Sequence, residues 1–307
     1  MIPVLLLYKI LQLAVYMMLG FMLVKLKIVK SKDSSLLSKI SLYLLMPAAI
    51  INSFDVEITP HIMQGLALSF TAAISIHILF LVLDVVYKKV FNGEGVERAS
   101  VMYPNAANLI IPIVSFVLGD EWVIYSCAFM SVQIAFIWTH GIQLFSKSKV
   151  NIKKILLNIN IIAIVIGVIM LVSGFRLPVF AKDVISPLSS MLGIVGMIIA
   201  GMLAAEVKFK KMLTNKRFYF VLAVRLIVYP AIVLCALKCV QMGISVTNAD
   251  KILLITYLAS ITPSAATVVQ LAQVNNSDAD FAVSVNIGTT VMCIATMPVF
   301  VALYQII

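Results

Sequence analysis

Long apolar runs separated by short polar connections dominate the chain. Ten of them predict membrane-spanning helices over residues 3–24, 34–54, 61–83, 97–118, 121–146, 155–174, 184–206, 217–238, 251–273 and 280–304. Each run has about the 20 apolar residues a helix needs to cross a hydrocarbon core of about 30 Å. The connections are too short for a folded soluble domain. The N-terminal Met1-Ile2-Pro3-Val4 has no basic segment before the first run, so it reads as a first span and not as a removable signal peptide.

Composition narrows the class. The 307 residues are 62% hydrophobic and 12% charged, against about 25% charged in soluble domains. This excludes a soluble enzyme, a disordered chain and a disulfide-rich module. Cys127, Cys235, Cys239 and Cys293 all lie inside apolar runs and read as small apolar residues. No residue pattern predicts a metal site, a cofactor or a nucleic-acid partner.

The net charge of +10 matters through its placement. Lys25, Lys27, Lys30, Lys32 and Lys39 follow span 1. Lys88, Lys89 and Arg98 follow span 3, and Lys147, Lys149, Lys153 and Lys154 follow span 5. Lys208, Lys210, Lys211, Lys216 and Arg217 follow span 7. The opposite ends hold only Lys9, Arg176, Lys182, Lys238 and Lys251. The positive-inside rule puts the rich side in the cytoplasm and both termini outside, in a plasma (inner) membrane with the bilayer as partner.

Spans 4 and 9 stand apart. Span 4 carries Tyr103-Pro104-Asn105-Ala106-Ala107-Asn108 and then Pro112. Span 9 carries Ser260-Ile261-Thr262-Pro263-Ser264-Ala265-Ala266-Thr267. Pro112 and Pro263 are nearly half the chain apart, which predicts two five-span repeats, 1–150 and 151–307. Five is odd, so the second repeat is inverted. The fold class expected is an all-α integral membrane protein in which interrupted helices 4 and 9 cross near the midplane, at Pro112 and Pro263. Proline removes a donor and clashes with the carbonyl four residues back, and in lipid such a break needs polar company. Pro47, Pro230 and Pro298 lack that company and read as ordinary kinks.

A broken helix exposes N–H groups where its second half starts, and these suit an anion. Asn105, Asn108, Pro112, Thr262, Pro263, Ser264 and Thr267 are therefore the expected substrate site, with Gln133 and Asn286 from spans 5 and 10. Arg225 lies about 12 Å deep in span 8 by helical rise. It is a further candidate, unless it snorkels to the cytoplasmic face. Asp84 and Glu206 fall at span ends within reach of water. His77 and His140 read as buried, satisfied histidines. Gly193, Gly196 and Gly201 predict close packing of span 7.

These features resemble the auxin efflux carrier family, whose bacterial members resemble permeases for malate or malonate. The resemblance rests on Leu42-Tyr43-Leu44-Leu45-Met46-Pro47-Ala48, Asn105 with Pro112, Leu157 to Ile162, Thr262-Pro263-Ser264-Ala265-Ala266 and Ala295-Thr296-Met297-Pro298-Val299. Family members carry glycines where this chain has Ala107 and Ile110. The resemblance implies a scaffold of spans 1, 2, 6 and 7, a moving unit of spans 3–5 and 8–10, and a homodimer through the scaffold.

The expected function is secondary transport of a small organic anion, not enzymatic catalysis. A sodium-coupled symporter of the bile-acid type is the alternative. Channels, sensors and intramembrane enzymes fit less well, because the chain has no room for an output domain and no nucleophile–base or carboxylate pair. With no carboxylate near the midplane, sodium-independent transport is expected. Export as an electrogenic uniport is preferred, at about 2.3 kcal/mol per charge per 100 mV. If a proton is carried instead, His77 is the residue to carry it.

Overall fold

The computed structural model describes residues 2–57, 59–145, 156–207, 209–241, 243 and 246–307. The repeat boundary near residue 150, the basic residues Lys147, Lys149, Lys153 and Lys154, and Lys208 lie outside them. Among the described residues the regular structure is helical, with a single isolated β-bridge between Pro104 and Ser264.

Among the described residues, seven helices are long and apolar enough to cross a bilayer. They are α1 (Ile2–Lys25), α2 (Ser31–Ser53), α3 (Pro60–Phe91), α6 (Asp120–Phe145), α8 (Val179–Ala204), α9 (Lys216–Gln241) and α12 (Ala279–Ile306). Two helix–break–helix pairs accompany them: α4 (Gly95–Met102) with α5 (Ala106–Leu118), and α10 (Ala249–Ser260) with α11 (Ala266–Val274). A shorter apolar helix, α7, covers Ile159–Ser173.

Local chemistry sets the ends. The Thr59 side chain accepts the Ile62 N–H, Pro60 starts α3, and Asn92 closes it in the left-handed region. Asn158 caps α7 by accepting the Asn160 N–H, and Gly174 ends it at φ 70°. Three π-helical turns widen α2 at Ser41–Leu45, α6 at Ile137–Gly141 and α9 at Val224–Val228. Such turns accompany functional sites in other helices.

Glycines let α1 and α8 meet backbone to backbone. A Cβ on Gly201 would lie 1.8 Å from the Met17 carbonyl oxygen, and one on Gly20 would lie 2.2 Å from that of Ile198. In lipid, where apolar burial drives little association, close approach of small residues supplies the packing energy. Besides α1, α8 carries α2, and α2 carries α7. A second group forms around α3, which packs on α6 and α10, while α9 packs on α10 and α12, and α11 packs on α12.

The break in the first pair is not where the prolines of the apolar run predict it. Pro112 lies inside α5, its ring against Gly193, and the helix runs on through it to Leu118. The interruption is at Tyr103–Asn105, around Pro104. A residue before proline is pushed out of the α region, and Tyr103 accordingly takes φ −95°, ψ 112° and ends α4. The second break holds Pro263, three residues after α10 ends at Ser260. Asp84 is also placed differently from its expected water-facing position. α3 continues beyond it to Phe91, and Asp84 is 2% exposed.

Candidate functional site

The two breaks cross as antiparallel extended segments. The Asn105 N–H donates to the Pro263 carbonyl at 2.7 Å, and the Ala265 N–H donates to the Tyr103 carbonyl at 2.9 Å. Two main-chain groups that each break frees are thus paired by the other break, which lets non-helical backbone persist in an apolar surround.

Side chains complete the pairing in matching fashion. Gln133 from α6 donates its amide to the Pro104 carbonyl at 2.6 Å. Asn286 from α12 donates to the Ser264 carbonyl at 2.6 Å. Thr289, one turn beyond Asn286, accepts the Ser264 N–H at 3.1 Å. Gln133 and Asn286 are both nearly fully buried.

The charges of the crossing are segregated. α4 and α10 end there with carbonyls that lack partners within their own helices and carry partial negative charge. Arg225, fully buried in the π turn of α9, serves both ends. Its guanidinium donates to Val101 at 3.2 Å, to Ser260 at 2.6 Å, and to Thr262 from two nitrogens at 3.2 and 2.5 Å. Arg225 therefore neither snorkels nor faces the cavity. Thr262 is behind the crossing too, its hydroxyl donating to the Ala259 carbonyl.

On the other side α5 and α11 begin, and neither start is closed by a side-chain cap. The residue before α11 is Ala265, which has no group to cap with. Asn105, before α5, has its side-chain oxygen engaged by the Asn108 amide at 3.0 Å. Both helix starts border one cavity, lined by Asn105, Asn108, Gln133, Thr267 and Asn286 of the expected site. Gln270, Asn158 and Asn160 join them, as do Ser38 and Ser41 of α2 and Gly196 of α8. Among the described residues that line it there is no Lys, Arg, Asp or Glu. Pro112, Thr262, Pro263, Ser264 and Arg225 are not among them either, and act instead in packing or in the crossing.

Sequence reasoning missed Pro104, Thr289 and Gln270. The signal for Pro104 was present, since a proline immediately after a helical run stops the helix one residue earlier. Among the described residues no group of His, Cys, Asp and Glu is arranged to hold a metal ion.

Helices that cross a bilayer, with a polar cavity at two helix breaks, define a membrane transport protein. The membrane transport protein family matches the chain twice, over residues 5–156 and 147–301. The chain belongs to this auxin efflux carrier-like family and is a multi-pass membrane transporter. No curated protein matches it.

Proposed function

We propose that the protein carries a small organic anion, a mono- or dicarboxylate, across the plasma membrane by alternating access. The observation that carries this reading is the meeting of two uncapped helix starts in one cavity whose described lining residues carry no fixed charge. Their N–H groups and partial positive charge favour a carboxylate. The surrounding amides and hydroxyls complete its hydrogen bonds without binding it too tightly to release. Malate and malonate are the first substrates to test, by the family resemblance.

The full reading has ten spans in two inverted repeats, with α4–α5 and α10–α11 as spans 4 and 9. The twofold family match supports the repeat. Both termini are outside. α1, α2, α7 and α8 then form the scaffold through which two copies dimerise, and the crossing moves with α3, α6, α9 and α12. The cavity lies between these groups. Its lining residues outside the crossing belong to the ends of α2, α6, α7 and α8 next to the lysine-rich connections. The conformation is therefore one open to the cytoplasm.

Transport is sodium-independent in this reading, because no carboxylate is among the described residues lining the cavity to hold the cation. Binding of mono- and dicarboxylates to purified protein, with and without sodium, tests it. Binding without sodium is expected. A strict sodium requirement would support the bile-acid-type alternative.

A further inference from the structure

A buried ionic cluster lies between α3, α4 and α6, outside the cavity but joined to the crossing. Arg98 donates to both carboxylate oxygens of Asp84, at 2.9 and 2.5 Å. His140, in the π turn of α6, has its Nε2 3.3 Å from Asp84 Oδ2 and its Nδ1 2.9 Å from the Tyr103 hydroxyl. That hydroxyl donates to the Phe136 carbonyl at 3.0 Å. Tyr103 is itself a residue of the crossing, its carbonyl accepting the Ala265 N–H.

From this arrangement we propose that His140 is the proton-binding site that couples anion transport to a proton. The proposal rests on the carrier reading above and supplies its coupling ion.

The count of donors carries the argument. An imidazole with both nitrogens protonated donates Nε2–H to Asp84 and Nδ1–H to the Tyr103 oxygen. The single Tyr103 proton is then free for the Phe136 carbonyl, and every close contact in the cluster is a hydrogen bond. A neutral imidazole that keeps Nε2–H on Asp84 presents a bare Nδ1. The Tyr103 proton must then turn to Nδ1 and leave Phe136. Gain of one proton at Nδ1 therefore reverses the Tyr103–His140 bond and turns a hydroxyl one residue from Pro104.

Charge points the same way. The facing charged groups are Asp84 of α3 and Arg98 of α4, which cancel. Tyr103 is the facing phenol, and Tyr229 of α9 lies within the field of Asp84 and Arg98. The protonated cluster thus carries one net positive charge beside a cavity suited to an anion. Each then favours the binding of the other. His140 is 23% exposed, so the ring is not sealed inside the protein and the proton can reach it and leave.

His77 does not share this role. Its ring packs among Phe80, Phe129 and Phe136, its Nδ1 contacts the Ala73 carbonyl at 2.7 Å, and its buried Nε2 has no partner. No carboxylate faces it to hold the charged form.

The test uses the full chain in proteoliposomes and nanodiscs. Labelled malate, malonate and acetate are offered with sodium absent, the potential clamped and the pH gradient varied. For a monoanion moving with one proton, each pH unit is expected to change accumulation up to about tenfold. His140→Gln and Tyr103→Phe are expected to exchange anion at equal pH on both sides but to lose that response, whereas His77→Gln keeps it. Equal-pH exchange verifies folding, and if His140→Gln does not fold, Tyr103→Phe decides. Histidine nitrogen NMR on the nanodisc protein, recorded with and without the anion, is expected to find a proton on both His140 nitrogens when the anion is bound. Accumulation in Tyr103→Phe and His140→Gln that follows the gradient as in the parent overturns the proposal. So does a His140 that stays neutral throughout. A parent protein that moves no carboxylate at any pH overturns the carrier reading instead, and the NMR measurement then judges the proton site alone.

Discussion

Arg225 reaches the carbonyl of Thr262 with two of its guanidinium nitrogens, at 3.2 and 2.5 Å, from a helix 37 residues away in sequence. With its bonds to Ser260 and Val101 it ties the ends of both broken helices to α9. Among the described residues no carboxylate forms an ion pair with it. Its counter-charge is the pair of helix C-termini, whose partial negative charge favours a cation.

Replacing Arg225 should therefore damage the fold before it alters affinity. Arg225→Met leaves three buried carbonyls short of donors, each costing about 1–3 kcal/mol. A loss of several kcal/mol in denaturant unfolding of the detergent-solubilised protein is expected. Arg225→Lys is expected to restore only part of it, since an ammonium lacks the planar fork of donors. A fully stable Arg225→Met would show that α9 is not needed to hold the crossing.

Asn105 borders the cavity at the uncapped start of α5. Asn105→Ala is expected to weaken carboxylate binding by about 1–3 kcal/mol, the cost of leaving one polar partner of the anion unpaired. Calorimetric binding of the best ligand checks this. Affinity equal to that of the parent would remove Asn105 from the site.

Gly201 should tolerate no side chain. Its absent Cβ leaves room for the Met17 carbonyl, which would lie 1.8 Å away. Gly201→Ala is expected to push α1 from α8 and destabilise by about 1–3 kcal/mol, the range of an overpacked contact. Gly174→Ala makes a useful contrast. Nothing lies within 4 Å of its Cβ, so the penalty there comes only from the positive φ of 70°. Thermal unfolding of both variants tests the distinction.

Asp55, in the connection after α2, predicts an acid limb of stability. Burial alone would raise its carboxyl, but hydrogen bonds from Lys182, the Leu177 N–H and Arg176 outweigh this and hold it below the usual carboxylate range. A depressed folded-state value stabilises the fold above about pH 4, and the contribution fades as pH falls through the lower folded value. Asp55→Asn is expected to lose on the order of 1 kcal/mol at neutral pH, because Arg176 and Lys182 are half exposed. The gap between variant and parent should narrow on acidification. A gap that is constant from pH 7 to about pH 3 would contradict the assignment.

Much of the architecture is legible in single runs of residues. Apolar length alone selects the crossing helices, since a helix in lipid satisfies its own backbone and needs no distant partner. The unusual stretch at Thr262–Ala266 is equally local, because proline and small polar residues disrupt a helix wherever they fall. Asn105, Asn108, Gln133, Thr267 and Asn286 stand out as amides and hydroxyls in apolar surroundings, and the fold gathers them at one cavity.

Relations between distant segments were decided only by the tertiary structure. Pro104 and Pro112 are equally visible in the sequence, yet only Pro104 faces Ser264, so only there does an opposing strand repair the break. Arg225 looked like a residue seeking water or an anion, because its three carbonyl partners lie in α4, α10 and the second break, all distant in sequence. In the sequence Asp84 reads as a span-end residue within reach of water and His140 as a buried, satisfied histidine, and only the packing of α3 and α6 brings them to 3.3 Å. Hydrophobic pattern specifies which segments enter the membrane, because transfer from water acts on each segment by itself. Which polar groups satisfy one another there depends on how the helices pack, and a charge or break can persist only where that packing supplies its partner.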